Sequence, residues 1–332
     1  MTETALRSAP SARRFSLDMR ALSPFIALIV LIAAGALINP DFLTASNLLN
    51  VVTRSAFIAI IAVGATFVIS GGGLDLSVGS MAALVAGAMI LILNQMGNAD
   101  PSTLALGMAV ALVLGALCGL ANGLIVTFGR IEPFIVTLGT MGIFRSLVIW
   151  LAAGGTITLR NSDLRELYRP AYFGTVAGIP VPILVFLAVA AIGAVLLYKT
   201  SFGRHVIAIG SNEDVARYSG VPIWRVRTLT YVIQGLCVAI AVLVYVPRLG
   251  SATPTTGLLW ELQAITAVVV GGTALKGGIG RIWGTVAGAI ILELVANIMV
   301  LSNFVSEFLV GAVQGAIIII AMLVQRSFQR GR

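Results

Sequence analysis

The chain has 332 residues, of which 58% are hydrophobic and only 10% are charged, and its mean hydropathy is +1.03. A water-soluble domain of this length does not need so much apolar surface, so the composition excludes an ordinary soluble protein and indicates that lipid is its solvent. The net charge of +8 does not indicate a nucleic-acid partner, because the basic residues lie between apolar runs, where orientation signals are expected, and not in one patch.

The first twenty residues are polar and basic and precede an apolar run at 21–38. This run is long for the apolar region of a secretory signal, and it ends in Ile38, Asn39 and Pro40 instead of a small-residue cleavage site. We therefore expect residues 1–20 to form a cytoplasmic tail and residues 21–38 to form an uncleaved first transmembrane helix.

Stretches of about twenty apolar residues, the length that crosses the hydrocarbon core of a bilayer, recur along the whole chain. They predict an all-α integral membrane protein with about ten transmembrane helices. Basic residues collect in alternate loops, which predicts cytoplasmic N- and C-termini. The expected permease domain covers 21–325, and a cytoplasmic tail follows at 326–332. The predicted spans are 21–38, 53–70, 74–93, 104–127, 132–153, 180–198, 228–248, 259–275, 282–301 and 306–324.

Two loops are longer than a simple path through the membrane requires. On the predicted topology the polar segment 154–179 is periplasmic and the segment 199–227 is cytoplasmic. Each is a candidate docking surface for another protein.

A glycine-rich stretch joins the second and third apolar runs. Gly71, Gly72 and Gly73 permit positive φ angles and a sharp reversal, and irregular backbone at membrane depth is tolerated only where protein or a water-filled cavity covers it. Asp75 is costly at this depth, which favours a functional role facing the path. The alternative is architectural: the Asp75 carboxylate caps the third helix by accepting the amide hydrogen of Ser77 or Val78. Both interpretations are compatible.

The cytoplasmic loop contains the signals of one short helix. Asn212 is suited to the N-cap, Glu213 lies in the first turn, Arg217 lies near the last turn, and Gly220 followed by Pro222 ends the helix. Such a helix is either a solvated surface element or a binding element for a partner protein.

Four blocks of sequence, at residues 72–80, 133–140, 200–231 and 261–278, resemble the permease subunits of ribose-type monosaccharide ABC importers. The blocks occur in that family's order and spacing, and the likeness covers roughly residues 40–325. The resemblance implies a type II ABC importer-like permease in the bacterial inner membrane. It also implies a periplasmic sugar-binding protein and a second permease chain, in a homodimer or a heterodimer.

The resemblance further implies a coupling helix that contacts a cytoplasmic ABC ATPase subunit, with ATP and Mg on that subunit and no cofactor on this chain. The lack of a GxxxxGK[ST] phosphate loop agrees with this division. The coupling residues are then Asn212, Glu213, Asp214, Val215, Ala216, Arg217, Ser219 and Gly220. The candidates for the translocation path or gate are Gly72, Gly73, Asp75, Ser77, Phe134 and Thr137.

Several other residues within apolar runs have more than one interpretation. Arg145 either faces the path or pairs with a carboxylate such as Glu293, and the plainer alternative is a structural ion pair or snorkelling near an interface. Glycines at four-residue spacing, including Gly115 and Gly119, predict close helix packing. The four tryptophans lie near span ends and are expected to form an interfacial belt.

An ion-coupled secondary sugar transporter, driven through buried acids such as Asp75 and Glu293, is the alternative function. A membrane-embedded enzyme is disfavoured, because the chain has a single histidine, His205, and its two cysteines, Cys118 and Cys237, lie in apolar runs without a metal-ligand cluster. We therefore expect no catalytic and no metal-binding residues, and the sequence does not identify the sugar.

Overall fold

A computed structural model describes residues 19–302 and, beyond them, residues 309, 311–313, 315, 316 and 319. Most of these residues are helical, as the sequence predicts. The tenth predicted span, 306–324, lies largely outside the described residues. The α-helices are α1 Met19–Ile38, α2 Ala45–Ser70, α3 Val78–Met96, α4 Pro101–Gly129, α5 Pro133–Leu151, α6 Ser162–Tyr168, α7 Pro170–Phe173, α8 Val181–Lys199, α9 Ser201–Ser211, α10 Glu213–Tyr218, α11 Ile223–Leu249, α12 Trp260–Val270 and α13 Ile282–Ser302.

Seven of the described helices, α2, α3, α4, α5, α8, α11 and α13, are long and apolar enough to cross a membrane. The helices α2 and α11 begin earlier than the apolar runs at 53–70 and 228–248 indicate. In α2 the reason is a polar cap: the Thr44 hydroxyl accepts the backbone N–H of Asn47 at 3.3 Å, ahead of the apolar segment. Hydropathy detects the part of a helix that lies in lipid and misses its polar first turns.

The prediction of a transmembrane span at 259–275 is wrong, because the helix found there is too short to cross the membrane. The helix α12 has 11 residues, which gives a length of roughly 16 Å at 1.5 Å per residue, about half of the hydrocarbon thickness. The helix begins at Trp260, which was expected in the interfacial belt but is buried between Phe57 and Tyr245, with ring centroids 5.0 and 4.8 Å away. It ends at a glycine turn immediately after Val270. The apolar run at 259–275 therefore extends beyond both ends of the helix.

The turns after α2 and α12 have the same geometry. After α2, the N–H of Gly72 bonds to the carbonyl of Ile69 and that of Gly73 to Val68, both at 2.9 Å. After α12, Gly272 and Thr273 make the corresponding bonds to Val269 and Val268, at 2.9 and 3.1 Å. Gly72 and Gly272 have φ of 81° and 85°, the left-handed conformation that this helix stop requires.

The helices α2 and α11 lie at the centre of the bundle. In the most apolar stretch of α2, 83% of the residues are buried. The share is 28% in α4 and in α5, so these two helices present most of their surface outward. The most extensive helix contact joins α4 to α11. Gly115 and Gly119 of α4 meet Gly235 and Tyr231 of α11 at backbone distance, so the predicted glycine packing is confirmed.

The segment 154–179 is ordered by short strands and helices. Its first strand, β1 Ile157–Thr158, pairs antiparallel with β4 Ser251–Ala252, so this loop is tied to the chain that precedes α12. The strands β2 Thr175–Val176 and β3 Ile179–Pro180 form a separate hairpin.

Candidate translocation and coupling sites

The loop 71–77, which we call the glycine loop, holds Asp75 in a buried polar cluster. Asp75 is 5% exposed, and its Oδ1 accepts the backbone N–H of Ser77 at 2.9 Å and the Ser77 hydroxyl at 2.6 Å. Asn122 of α4 donates from Nδ2 to the same hydroxyl at 2.8 Å. The predicted bond from Asp75 to the start of α3 is therefore confirmed, and it belongs to a network between two helices.

The carbonyl of Leu74, one residue before Asp75, is contacted from two other helices. The Tyr231 hydroxyl of α11 donates to this oxygen at 3.3 Å. The Thr137 hydroxyl of α5 also lies 3.3 Å from it, although its shorter bond, at 2.9 Å, is to the Pro133 carbonyl. Thr137 and Tyr231 are 0% and 1% exposed. The glycine loop is thus fixed by side chains from α4, α5 and α11.

The structure brings four of the predicted path residues together: Gly73, Asp75, Ser77 and Thr137 all lie around this network. Gly73 leaves little room there, because a Cβ atom on it would stand 2.8 Å from the Tyr231 hydroxyl oxygen and 3.1 Å from Cγ1 of Val68. Phe134 does not join the cluster: it lies on α5, one turn from Thr137, but its side chain is half exposed. Gly72 lies at the open cleft described below.

Sequence reasoning missed Asn122 and Tyr231. The available signal was a polar side chain inside an apolar run, which is costly in lipid unless it has a partner. Both residues satisfy that criterion. Their partner, the glycine loop, is distant in sequence, so their position beside it is visible only in the folded chain.

The short helix predicted after Asn212 is present as α10. The Asn212 side chain caps it by accepting the N–H of Val215 at 3.0 Å, and Gly220, with φ of 76°, ends it. Val215 and Tyr218 are 60% and 91% exposed, so α10 presents apolar and aromatic surface outward.

Glu213 joins this helix to α11. Its carboxylate accepts a hydrogen bond from Arg217 at 2.7 Å within α10 and another from Arg227 of α11. Partial burial acts to raise the pKa of the Glu213 carboxyl, but the hydrogen bonds and charges of Arg227 and Arg217 outweigh it and hold this pKa below its ordinary value. Glu213 is therefore ionised at neutral pH.

An open cleft of about 720 Å³ lies between α10 and the chain that joins the end of α4 to the start of α5. Gly72 of the glycine loop, Arg130, Glu132, Arg217 and Arg227 all line it. On its other side α10 is packed, since Ala216 lies in a buried cluster with Val206, Ile209 and Val226.

The helix α9, which precedes α10, touches the end of α2 and the loop between α12 and α13. A Cβ atom on Gly210 would stand 1.9 Å from the carbonyl oxygen of Ser70 and 2.6 Å from the backbone nitrogen of Gly278. These two atoms are themselves hydrogen-bonded at 2.9 Å. The segment 199–227 is thus in backbone contact with the end of α2 and with the loop between α12 and α13.

Arg145 does not pair with Glu293. Its guanidinium donates to the backbone carbonyls of Pro254 and Thr256, the latter at 2.8 Å, in the irregular chain before α12. Glu293 lies on α13, where Arg54 and Arg248 are the cations close enough to act on it. Irregular backbone at this place leaves carbonyls without helical partners, and Arg145 satisfies two of them.

No group of three or more His, Cys, Asp or Glu residues suitable for a metal ion occurs in the described ranges. Both cysteines are buried and unpaired by disulfide.

Residues 47–322 match the family described as the permease component of the branched-chain amino acid transport system. This match covers most of the chain. The protein belongs to this family of transport permeases. It is a multi-pass integral membrane protein, in agreement with its seven long apolar helices.

Among its curated relatives, the sugar permeases are prominent. The ribose import permease protein of Bacillus subtilis (strain 168) is 41% identical over 317 residues, 93% of each chain. The L-arabinose transport system permease protein of Escherichia coli (strain K12) is 36% identical, covering 91% of this permease and 89% of the relative. The xylose transport system permease protein of the same strain is 31% identical over 87% of each chain.

These likenesses confirm the resemblance deduced from the four sequence blocks. The relatives are all permease components, so the prediction that the chain is a transport protein and not an enzyme is confirmed.

Proposed function

We propose that this permease is the membrane-spanning subunit of an ATP-binding-cassette importer that carries a monosaccharide or related polyol across the bacterial inner membrane. The structural observation that supports it most is α10, a capped helix that presents apolar surface outward. The relatives of this chain, which are named for ribose, arabinose and xylose transport, support the substrate class. On this proposal both termini and the segment 199–227 are cytoplasmic, and the segment 154–179 faces the periplasm.

In the proposed mechanism α10 seats on a separate ATPase subunit, where ATP and Mg bind. Closure of the ATPase on ATP displaces α10, and the path through two permease chains changes its open side. The glycine loop with Asp75 contributes to the path or gate. A periplasmic binding protein delivers the sugar, and most of the selectivity resides there.

Reconstitution tests the proposal. The permease is placed in liposomes with its ATPase subunit and its binding protein, and uptake of radiolabelled D-ribose, L-arabinose and D-xylose is measured with and without ATP. Uptake of one of these sugars that requires ATP and both companions supports the proposal. Accumulation by the permease alone, driven by an ion gradient, would replace it with the ion-coupled alternative.

Bulky substitutions in α10 test the coupling role. Glu213→Trp and Gly220→Trp are expected to separate ATP hydrolysis from uptake. Each adds a bulky indole at one end of α10, where the helix is proposed to contact the ATPase subunit. Leu117→Trp is the matched control, since Leu117 is exposed on α4 and receives the same kind of bulky ring. Normal uptake in both α10 variants would contradict the assignment of α10 as the coupling helix.

A further inference from the structure

One face of α11 runs from the coupling helix to the glycine loop. Arg227, Tyr231 and Gln234 occupy positions i, i+4 and i+7, so they lie on the same side of the helix. Arg227 bonds to Glu213 of α10, Tyr231 donates to the carbonyl of Leu74, and Gln234 donates to the carbonyl of Ile61 in α2 at 3.4 Å. These three contacts connect α10, the glycine loop and α2 through one rigid element.

The fit around Tyr231 is tight. The side chain is 1% exposed, and the absence of a Cβ at Gly73 is what allows the hydroxyl to approach the loop. The Tyr231 backbone in turn meets Gly119 of α4, where a Cβ would stand 2.2 Å from the Tyr231 carbonyl oxygen. A shift of α11 along its axis must therefore move the hydroxyl relative to the glycine loop or carry the loop with it.

We infer that Tyr231 is a positioning residue for transport: its hydroxyl holds the Leu74 carbonyl so that a displacement of α10, received through Glu213 and Arg227, moves the glycine loop and the Asp75 that follows. This inference rests on the proposed function, because it gives the displaced helix a defined connection to the path. Tyr231 touches neither sugar nor nucleotide in this scheme, and its effect passes through Leu74.

The test is Tyr231→Phe, which removes the hydroxyl and retains the ring. In the reconstituted complex, with the sugar that the unmodified permease transports as probe, the number of sugar molecules imported per ATP hydrolysed is expected to fall roughly two- to tenfold, the range that one net hydrogen bond gives. The maximal ATPase rate is expected to change less than the uptake rate.

Tyr168→Phe is the matched control. Tyr168 is also 1% exposed, and its hydroxyl also donates to a backbone carbonyl of α11, that of Leu243 at 2.7 Å. Leu243 lies toward the opposite end of α11 from Arg227, so this bond is outside the proposed connection from α10 to the glycine loop. Both variants lose one buried hydrogen bond and a comparable amount of stability. Only Tyr231→Phe is expected to lower the ratio of sugar to ATP.

A double variant supplies the second readout. If Arg227 and Tyr231 act in one connection, Arg227→Gln combined with Tyr231→Phe should reduce the ratio no further than the more damaging single change. An unchanged ratio in Tyr231→Phe, an equal loss in Tyr168→Phe, or full additivity in the double variant would each overturn the inference. Failure of the unmodified complex to import sugar with ATP would instead remove the proposed function itself, so the two failures are distinguishable.

Discussion

A Cβ atom placed on Gly235 would stand 2.0 Å from the carbonyl oxygen of Gly115, so α11 and α4 meet at backbone distance. Apolar side chains give little driving force for association in lipid, and close backbone approach is the main source of helix affinity there. This contact also positions α11, and with it Tyr231, against α4.

Gly235→Ala is therefore expected to destabilise the permease by about 1 to 3 kcal/mol, because the added methyl group forces the two backbones apart. Unfolding of the detergent-solubilised chain by denaturant measures the loss. Gly139→Ala is the control, since no atom lies within 4 Å of a Cβ at that helical position; it should be neutral or slightly stabilising. Equal stability of both variants would show that α4 and α11 do not meet this closely.

Ser77→Ala tests the polar cluster beneath the glycine loop. The Ser77 hydroxyl donates to Asp75 and accepts from Asn122, and all three residues are buried, so its removal leaves two polar groups without this partner. We expect a loss of about 1 to 3 kcal/mol in the free energy of unfolding, together with impaired uptake.

Ser102→Ala is the control for this change. Ser102 donates to Asp100 at 2.6 Å, the same distance as between Ser77 and Asp75, but in an exposed place where water replaces the bond. It is expected to be close to neutral. Comparable losses of unfolding free energy in the two variants would mean that burial does not strengthen the hydrogen bond between Ser77 and Asp75.

The sequence predicts much of α10 and of the glycine loop because their signals are local. Asn212, Gly220 and Pro222 specify where α10 begins and ends, and the bond from Asp75 to Ser77 joins residues two positions apart. Cap and turn chemistry depends on close neighbours in the chain, so the residue types themselves indicate it.

The partner of Arg145 and the extent of α12 could not be predicted in this way. Arg145 binds the carbonyls of Pro254 and Thr256, more than a hundred positions later, and backbone acceptors have no signature in a sequence. The apolar run at 259–275 predicts a full crossing because hydropathy measures the solvent of a segment and not its conformation. The turn at Gly271 and Gly272, which ends α12, is recognisable only by analogy with Gly71 and Gly72.

Glu213→Gln is expected to change stability in a pH-dependent manner. The pKa of Glu213 is lower in the folded chain than in the unfolded one, so its ionised form stabilises the fold at pH values above about 4.3, and this contribution is lost as the pH falls through the lower folded pKa. At neutral pH the loss is expected to be under about 1 kcal/mol, because the Glu213 side chain is 35% exposed and solvent screens its pairs.

Thermal unfolding of both proteins from about pH 3 to about pH 8, an interval that includes the ordinary pKa of glutamate, measures this difference. The two curves should run parallel from about pH 6 upward and converge in acid, since protonated Glu213 resembles glutamine in charge. A difference that grows on acidification would contradict the assigned direction of the pKa shift.

Arg145→Gln and Glu293→Gln are expected to act independently. Arg145 bonds to backbone carbonyls, and no ion pair joins it to Glu293 among the described residues. In a double-mutant cycle on the free energy of unfolding, the coupling energy between the two changes should stay within about 0.5 kcal/mol of zero. A coupling energy well above that value would indicate that the two side chains meet. Arg145→Gln alone should be the more damaging change, since it leaves two carbonyls without that donor.

The hydrogen bond from the Gly278 N–H to the Ser70 carbonyl, with Gly210 wedged against both, has a mechanical consequence. This bond joins the end of α2 to the loop between α12 and α13, and Gly210 leaves no space there for a side chain. We therefore expect a displacement of α9 to carry the two segments together.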